Sequence, residues 1–135
     1  MLAQAARMRS SQEFRETARR GARSGRPTVV VHALDSARSS AGSSPTSPFD
    51  GVHVGFVVSK AVGNAVTRNR VKRRLRHLAA VALVDVPPGT RLVVRALPRA
   101  ATHADELASD LDQAWRRSLR RLADQHRPGA AGVRA

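Results

Sequence analysis

The sequence predicts an α+β fold, a small sheet of about four strands packed with three helices in the order helix, strand, strand, helix, strand, helix. Three observations carry that expectation. Apolar residues alternate over residues 52–58, apolar residues recur at three and four in two long segments, and valine-rich runs near 28–33 and 90–97 are bounded by Gly and Pro.

Ser10 with Glu13 three residues later forms a capping-box pattern, which opens a helix near 11–20. Gly21 stands where that helix would need a left-handed C-cap. The three valines Val29, Val30 and Val31 mark a first strand over 27–34, with Pro27 tolerated only at its start. Residues 35–50 hold six Ser, two Pro and a Gly, a composition that buries too little surface to order itself, and read as a flexible loop.

Val52, Val54, Phe56 and Val58 share one face of the next strand. Gly63 ends it, Asn64 can cap, and a helix runs from about Ala65 to Val84 until Pro87, Pro88 and Gly89 stop it. Thr90 to Leu97 is the following strand. Thr102 and Asp105 suggest a second capping box for a last helix near 103–124, where Leu107, Leu111, Ala114, Trp115, Ser118, Leu119 and Leu122 form an apolar stripe. At 135 residues the expectation is one domain over 1–124 and a disordered basic tail over 125–135.

The net charge of +14 arises from 24 basic against 10 acidic residues, an excess that suits a polyanionic partner. All the cations except Lys60 and Lys72 are Arg, whose guanidinium grips phosphate bidentately and stacks on bases. With no Cys there is no disulfide framework, thiol nucleophile or thiolate metal site. No apolar run approaches the ~20 residues that span a bilayer, and the reading is a soluble, cytoplasmic protein without a membrane partner.

Six cations lie between positions 68 and 76, and no acid occurs from Gly51 to Val84. On a helix Val71, Leu75, Leu78 and Ala82 fall within a roughly 60° stripe, and the cations with Asn69 and His77 sweep the remaining arc. Like charges four apart, such as Arg68 with Lys72 and Lys72 with Arg76, disfavour an isolated helix, so an anionic partner is expected. RNA or DNA fits this better than a membrane surface, because the narrow apolar stripe is needed by the sheet.

The five His are scattered without metal-ligand spacing, and no Gly-rich phosphate loop, nucleophile motif or acidic pair is present. No catalytic residue and no metal ligand is therefore assigned to this chain.

Gly55-Phe56-Val57-Val58-Ser59-Lys60 followed by Gly63-Asn64-Ala65-Val66-Thr67-Arg68-Asn69-Arg70-Val71-Lys72-Arg73 closely resembles the signature of the bacterial ribonuclease P protein component. The likeness extends in order from Met8–Phe14 through 27–34 and 92–98 to the Trp115 helix. It implies the ribonuclease P protein and ribosomal-protein-like fold, with a left-handed crossover between parallel strands, against the usual right-handed rule.

It further implies that Lys60, Asn64, Arg68, Asn69, Arg70, Lys72, Arg73 and Arg76 meet the catalytic RNA subunit. The 5′ leader of precursor tRNA would lie at Phe14, Ala18, His32, Val54 and Phe56. The family usually has aromatics where Ala18 and His32 stand, so leader affinity would lean on Phe14, His32 and nearby Arg.

The implied activity is endonucleolytic removal of the leader by an RNA-centred enzyme with Mg²⁺ bound mainly by RNA, the protein acting as accessory subunit and monomeric within the ribonucleoprotein. A ribosomal or general RNA-binding protein and an autonomous nuclease are the competing readings. The Arg68-Asn69-Arg70 block favours the first over both.

Overall fold

The computed structural model describes Met8, residues 11–35 and residues 52–125. Ser10 of the expected capping box, all of the 35–50 loop except Asp35, and the tail beyond Gln125 lie outside the described residues.

Helix α1 spans Ser11–Arg20, and four strands follow, β1 at Ala22–Gly25, β2 at Val29–Asp35, β3 at His53–Val57 and β4 at Thr90–Ala96. Helix α2 (Ala65–Ala82) joins β3 to β4, and a one-turn helix α3 (Arg99–Thr102) precedes α4 (Ala104–Gln125). The sheet order is β1-β2-β4-β3, with β1/β2 and β2/β4 antiparallel and β3/β4 parallel. This is the expected α+β architecture.

The sheet has two differently dressed faces. Val29, Val31 and Ala33 of β2 stand opposite Ala96, Val94 and Leu92 of β4, which in turn neighbour Val54 and Phe56 of β3. These side chains pack with Val71, Leu75 and Ala79 of α2 and with Leu107, Leu111, Ala114, Trp115 and Leu122 of α4 in one aliphatic core. Because side chains alternate across a strand, His32, Val93 and Gly55 belong to the opposite face, which α1 covers.

Three local readings differ from expectation. The segment Ala22–Gly25 forms a strand, although its sequence, Ala-Arg-Ser-Gly, lacks any β-branched or aromatic side chain; pairing with β2 makes it one. Gly21 does not adopt a left-handed cap, since only Gly63 and Gly89 have positive φ among the described residues. Its requirement is close approach, because a Cβ there would lie 2.4 Å from the Thr17 carbonyl oxygen and 2.8 Å from that of Ala33.

Thr102, expected to cap the last helix, instead closes α3. Its hydroxyl donates to the Arg99 carbonyl at 3.4 Å, and the first turn of α4 is held by Glu106 N donating to His103 O at 3.0 Å.

Two buried polar tethers fix α4 to β2 and the turn before it. The buried Asp110 carboxylate accepts from Thr28 N at 3.2 Å and Thr28 Oγ1 at 2.7 Å, with Arg26 Nε 3.5 Å away. Two helical turns further on, the buried Ser118 hydroxyl donates to Val31 O at 2.8 Å. Such pairing is what makes burial of a carboxylate tolerable.

Candidate nucleic-acid interface

The turn before α2 is built to present its basic face. After the one-turn helix Lys60–Val62, Gly63 takes φ 156°, a region open essentially to glycine alone, and a Cβ there would also press on Thr67 at 2.9 Å. Asn64 then caps the helix, its Oδ1 accepting from Thr67 N at 2.9 Å while its carbonyl accepts from Arg68 N at 2.8 Å. Gly63, Asn64 and Thr67 thus start the helix so that Arg68 falls in its first turn.

Helix α2 divides its side chains into three rows. Val71, Leu75 and Ala79 are buried in the core. Arg68, Lys72 and Arg76, spaced by four, form a half-buried row beside it, and Lys60, Asn64, Asn69, Arg70, Arg73 and Arg74 are exposed. In the half-buried row the Nε atoms of Arg68 and Arg76 are shielded, yet neither has a hydrogen-bond partner among the described residues.

That half-buried row borders a cleft. A cavity of about 160 Å³ is lined by Met8, Phe14, Val54, Gly55, Phe56, Lys72 and Arg76. It opens at the edge of the sheet, where Phe14 reaches over β3 from the α1 side and the two cations reach up from α2. Gly55 makes the approach possible, because a Cβ there would stand 2.4 Å from the Phe14 ring. Met8 N donates to Val54 O at 2.9 Å, which holds Met8 against the outer edge of β3.

Glu13 anchors α1 over the same strands. Its carboxylate pairs with Arg91 and lies 3.2 Å from His53 Nδ1, and these two residues are register partners on β4 and β3. In the sequence Glu13 stood out only as part of a capping box and Arg91 not at all, because their contact joins residues 78 positions apart.

The residues matched to the leader are thus placed unequally. Phe14 walls the cleft, as do Phe56, which is half-buried against the core, and Val54. Val54 as a whole is 1% exposed and its carbonyl oxygen already accepts from Met8 N, so it backs the cleft without offering a free group. Ala18 is half-buried on α1, and His32 is 7% exposed beneath the helix; neither lines the cleft.

Burial lowers the His32 pKa below its ordinary value of 6.5, and Arg23 and Arg95 lower it further by repulsion. The imidazole is neutral at pH 7, with Nδ1 buried and unpartnered among the described residues. Conversely, Lys72 and Arg76, matched to the RNA subunit, also border the cleft. The two sets that the sequence separates meet at one place.

Among the described residues no group of three or more His, Asp or Glu side chains is placed to hold a metal ion, and no helix is long and apolar enough to cross a membrane.

Comparison with known proteins bears on the family and the fold. The Ribonuclease P family model matches residues 2–121. A protein of Kocuria rhizophila named ribonuclease P protein component is 55% identical over 118 residues, spanning 87% of this chain and 95% of that protein. The like-named protein of Streptomyces bikiniensis is 50% identical over 115 residues, spanning 84% and 91%.

Among solved structures, the Staphylococcus aureus RNase P protein superposes with a TM-score of 0.66 at 21% identity, covering 82% of this chain and 93% of that one. The Thermotoga maritima RNase P protein gives 0.61 at 20% identity, covering 79% and 92%. The shared fold and the extent of these matches place the chain in the ribonuclease P protein family.

Proposed function

We propose that this chain is the protein subunit of ribonuclease P, which binds the catalytic RNA subunit and the 5′ leader of precursor tRNA and so assists endonucleolytic removal of the leader. The observation that carries the reading is the cleft where Phe14 faces Lys72 and Arg76. An aromatic ring opposite two cations suits a single strand, whose bases stack while its phosphates are neutralised.

The outer row of Arg70 and Arg73, with Lys60, Asn64 and Asn69, meets the RNA subunit, and Arg68 lies at the junction. Cations released from the RNA on binding supply much of the affinity, in proportion to the phosphates contacted. Shielded guanidinium nitrogens lacking protein partners, as at Arg68 and Arg76, are donors held ready for phosphate oxygens.

In this reading the hydrolytic chemistry belongs to the RNA subunit and its Mg²⁺, and the donor set of the described residues does not fit a metal site. The protein contributes position and charge. It holds the leader in extended form and lowers phosphate repulsion, so that less Mg²⁺ is needed, and it works in the cytoplasm as one copy per RNA.

The test is cleavage of a 5′-extended precursor tRNA at low Mg²⁺ by bacterial ribonuclease P RNA, with and without the protein. Restoration of cleavage by a protein that is inert alone is expected. Cleavage by the protein without the RNA would reopen the autonomous nuclease reading, and no effect in either case would favour a ribosomal or general RNA-binding role.

A further inference from the structure

We propose that the opposite edge of the sheet, along β1, is a second RNA-binding surface that takes a stretch of phosphate backbone separate from the one at α2. The inference rests on the ribonucleoprotein reading above and adds a second point of attachment to it.

The sheet order puts β1 and β3 at opposite edges. Three inter-strand steps separate them, about 14 Å, which exceeds the screening length of roughly 8–10 Å near physiological salt. Cations at the two edges therefore act on different phosphates. Arg23 is exposed on β1, and Arg26 follows in the turn to β2.

At 100° per residue Asp110, Arg117, Arg121 and Asp124 fall within a roughly 60° flank of α4. The Asp110 and Arg121 contacts show that this flank faces β1 and its turn. Arg121 Nη1 reaches across to donate to Arg23 O at 2.7 Å. Four guanidinia thus gather at one edge with two carboxylates, and one of these, Asp110, is buried and already engaged by Thr28 and Arg26.

Protection of the strand edge accounts for one of these arginines, since Arg121 occupies an outward carbonyl and still keeps further donors exposed. It does not account for Arg23 and Arg117, whose side chains are exposed and form no ion pair among the described residues. Arg117 also sits four residues before Arg121, a like-charge pairing that weakens the helix unless an anion relieves it. An RNA backbone supplies anions at a spacing that exposed guanidinia can follow.

The test uses the full chain with ribonuclease P RNA as probe. Replacing Arg23→Gln together with Arg117→Gln should lower the log–log dependence of binding on salt by about 1.5 units, the share of two phosphate contacts, and leave the unfolding midpoint unchanged. Arg70→Gln with Arg73→Gln should lower it separately, and the four together should lower it by the sum.

The chain has no Cys, so Arg117→Cys and Arg73→Cys can each carry a photo-crosslinker at a single site, and they should mark different nucleotides. An unchanged slope for the β1 pair beside a lowered slope for the α2 pair would overturn the second surface alone. No change in either pair would overturn the RNA-binding reading itself. Crosslinks from both positions to the same nucleotides would show one extended surface and refute two.

Discussion

On the face of the sheet under α2 and α4, Val29, Val31, Ala33, Leu92 and Val94 are fully buried against Leu75, Leu107 and Leu111. Beneath α1, the same strands bury His32 against a helix that contributes Thr17, and Glu13 ties down His53 and Arg91. Thr17 Oγ1 and His32 Nδ1 there lack hydrogen-bond partners among the described residues. One face is aliphatic and closed. The other mixes Thr17, His32 and the Glu13 ion pairs with Val30, Leu34 and Val93, and its rim is the cleft at Phe14. The difference separates two tasks: the first face supplies most of the stability, and the second leaves room at its edge for a ligand.

The largest expected effect breaks the closed face. Leu75→Ala removes a fully buried side chain from the middle of the core and should cost about 2–5 kcal/mol in urea unfolding. RNA affinity per folded molecule should be unchanged, because Leu75 points away from the cations. A loss of affinity without loss of stability would mean the two faces are not separable in this way.

Next is the tether between α4 and the turn before β2. Asp110→Ala strands the Thr28 N–H and hydroxyl in a buried site and should cost about 1–3 kcal/mol by the same measurement. Asp110→Asn retains an acceptor oxygen and should cost less. Equal losses would show that charge pairing with Arg26, more than hydrogen bonding to Thr28, holds the helix.

On the open face, Phe14→Ala should weaken precursor tRNA binding by about 1–3 kcal/mol while leaving mature tRNA binding nearly unchanged, as expected for a ring that stacks on the leader. Its stability cost should be smaller than that of Leu75→Ala, since Phe14 is only half-buried. Equal weakening for both tRNAs would remove Phe14 from the leader site.

The smallest effect concerns His32. Its folded pKa lies below the 6.5 of the unfolded chain, so as pH falls through 6.5 the unfolded state takes up the proton first and stability declines. The contribution is fully present above pH 6.5 and is lost on going down toward the folded pKa, with a slope of at most about 1.4 kcal/mol per pH unit. His32→Gln should remove that part of the pH dependence. A profile identical to the parent would show that His32 is not the group responsible.

Much of the fold was legible because it rests on local patterns. The alternation over 52–58 gives β3, the Asn64 cap and the narrow stripe through Val71 and Leu75 give α2, and the apolar recurrence from Leu107 to Leu122 gives α4, in each case because periodicity reports burial directly. The cation-rich signature at 60–76 was equally plain. What the pattern could not resolve was that Arg68, Lys72 and Arg76 form a half-buried row apart from the exposed Arg70 and Arg73. Helical periodicity places residues around an axis, and only the neighbouring β3 and α1 decide which of the polar rows is shielded.

The sequence by itself determined the class of fold, the strong positive charge and the family signature, since charge, period and motif are properties of consecutive residues. The tertiary structure decided the rest. It made a strand of Ala22–Gly25 by pairing it with β2, and required glycine at Gly21 and Gly55 through the carbonyls and the Phe14 ring that approach them. It turned Asp110 into a buried tether, and brought Phe14, Lys72 and Arg76 to one cleft. Each of these depends on contacts between residues far apart in the chain, and no local propensity encodes which distant segment will arrive.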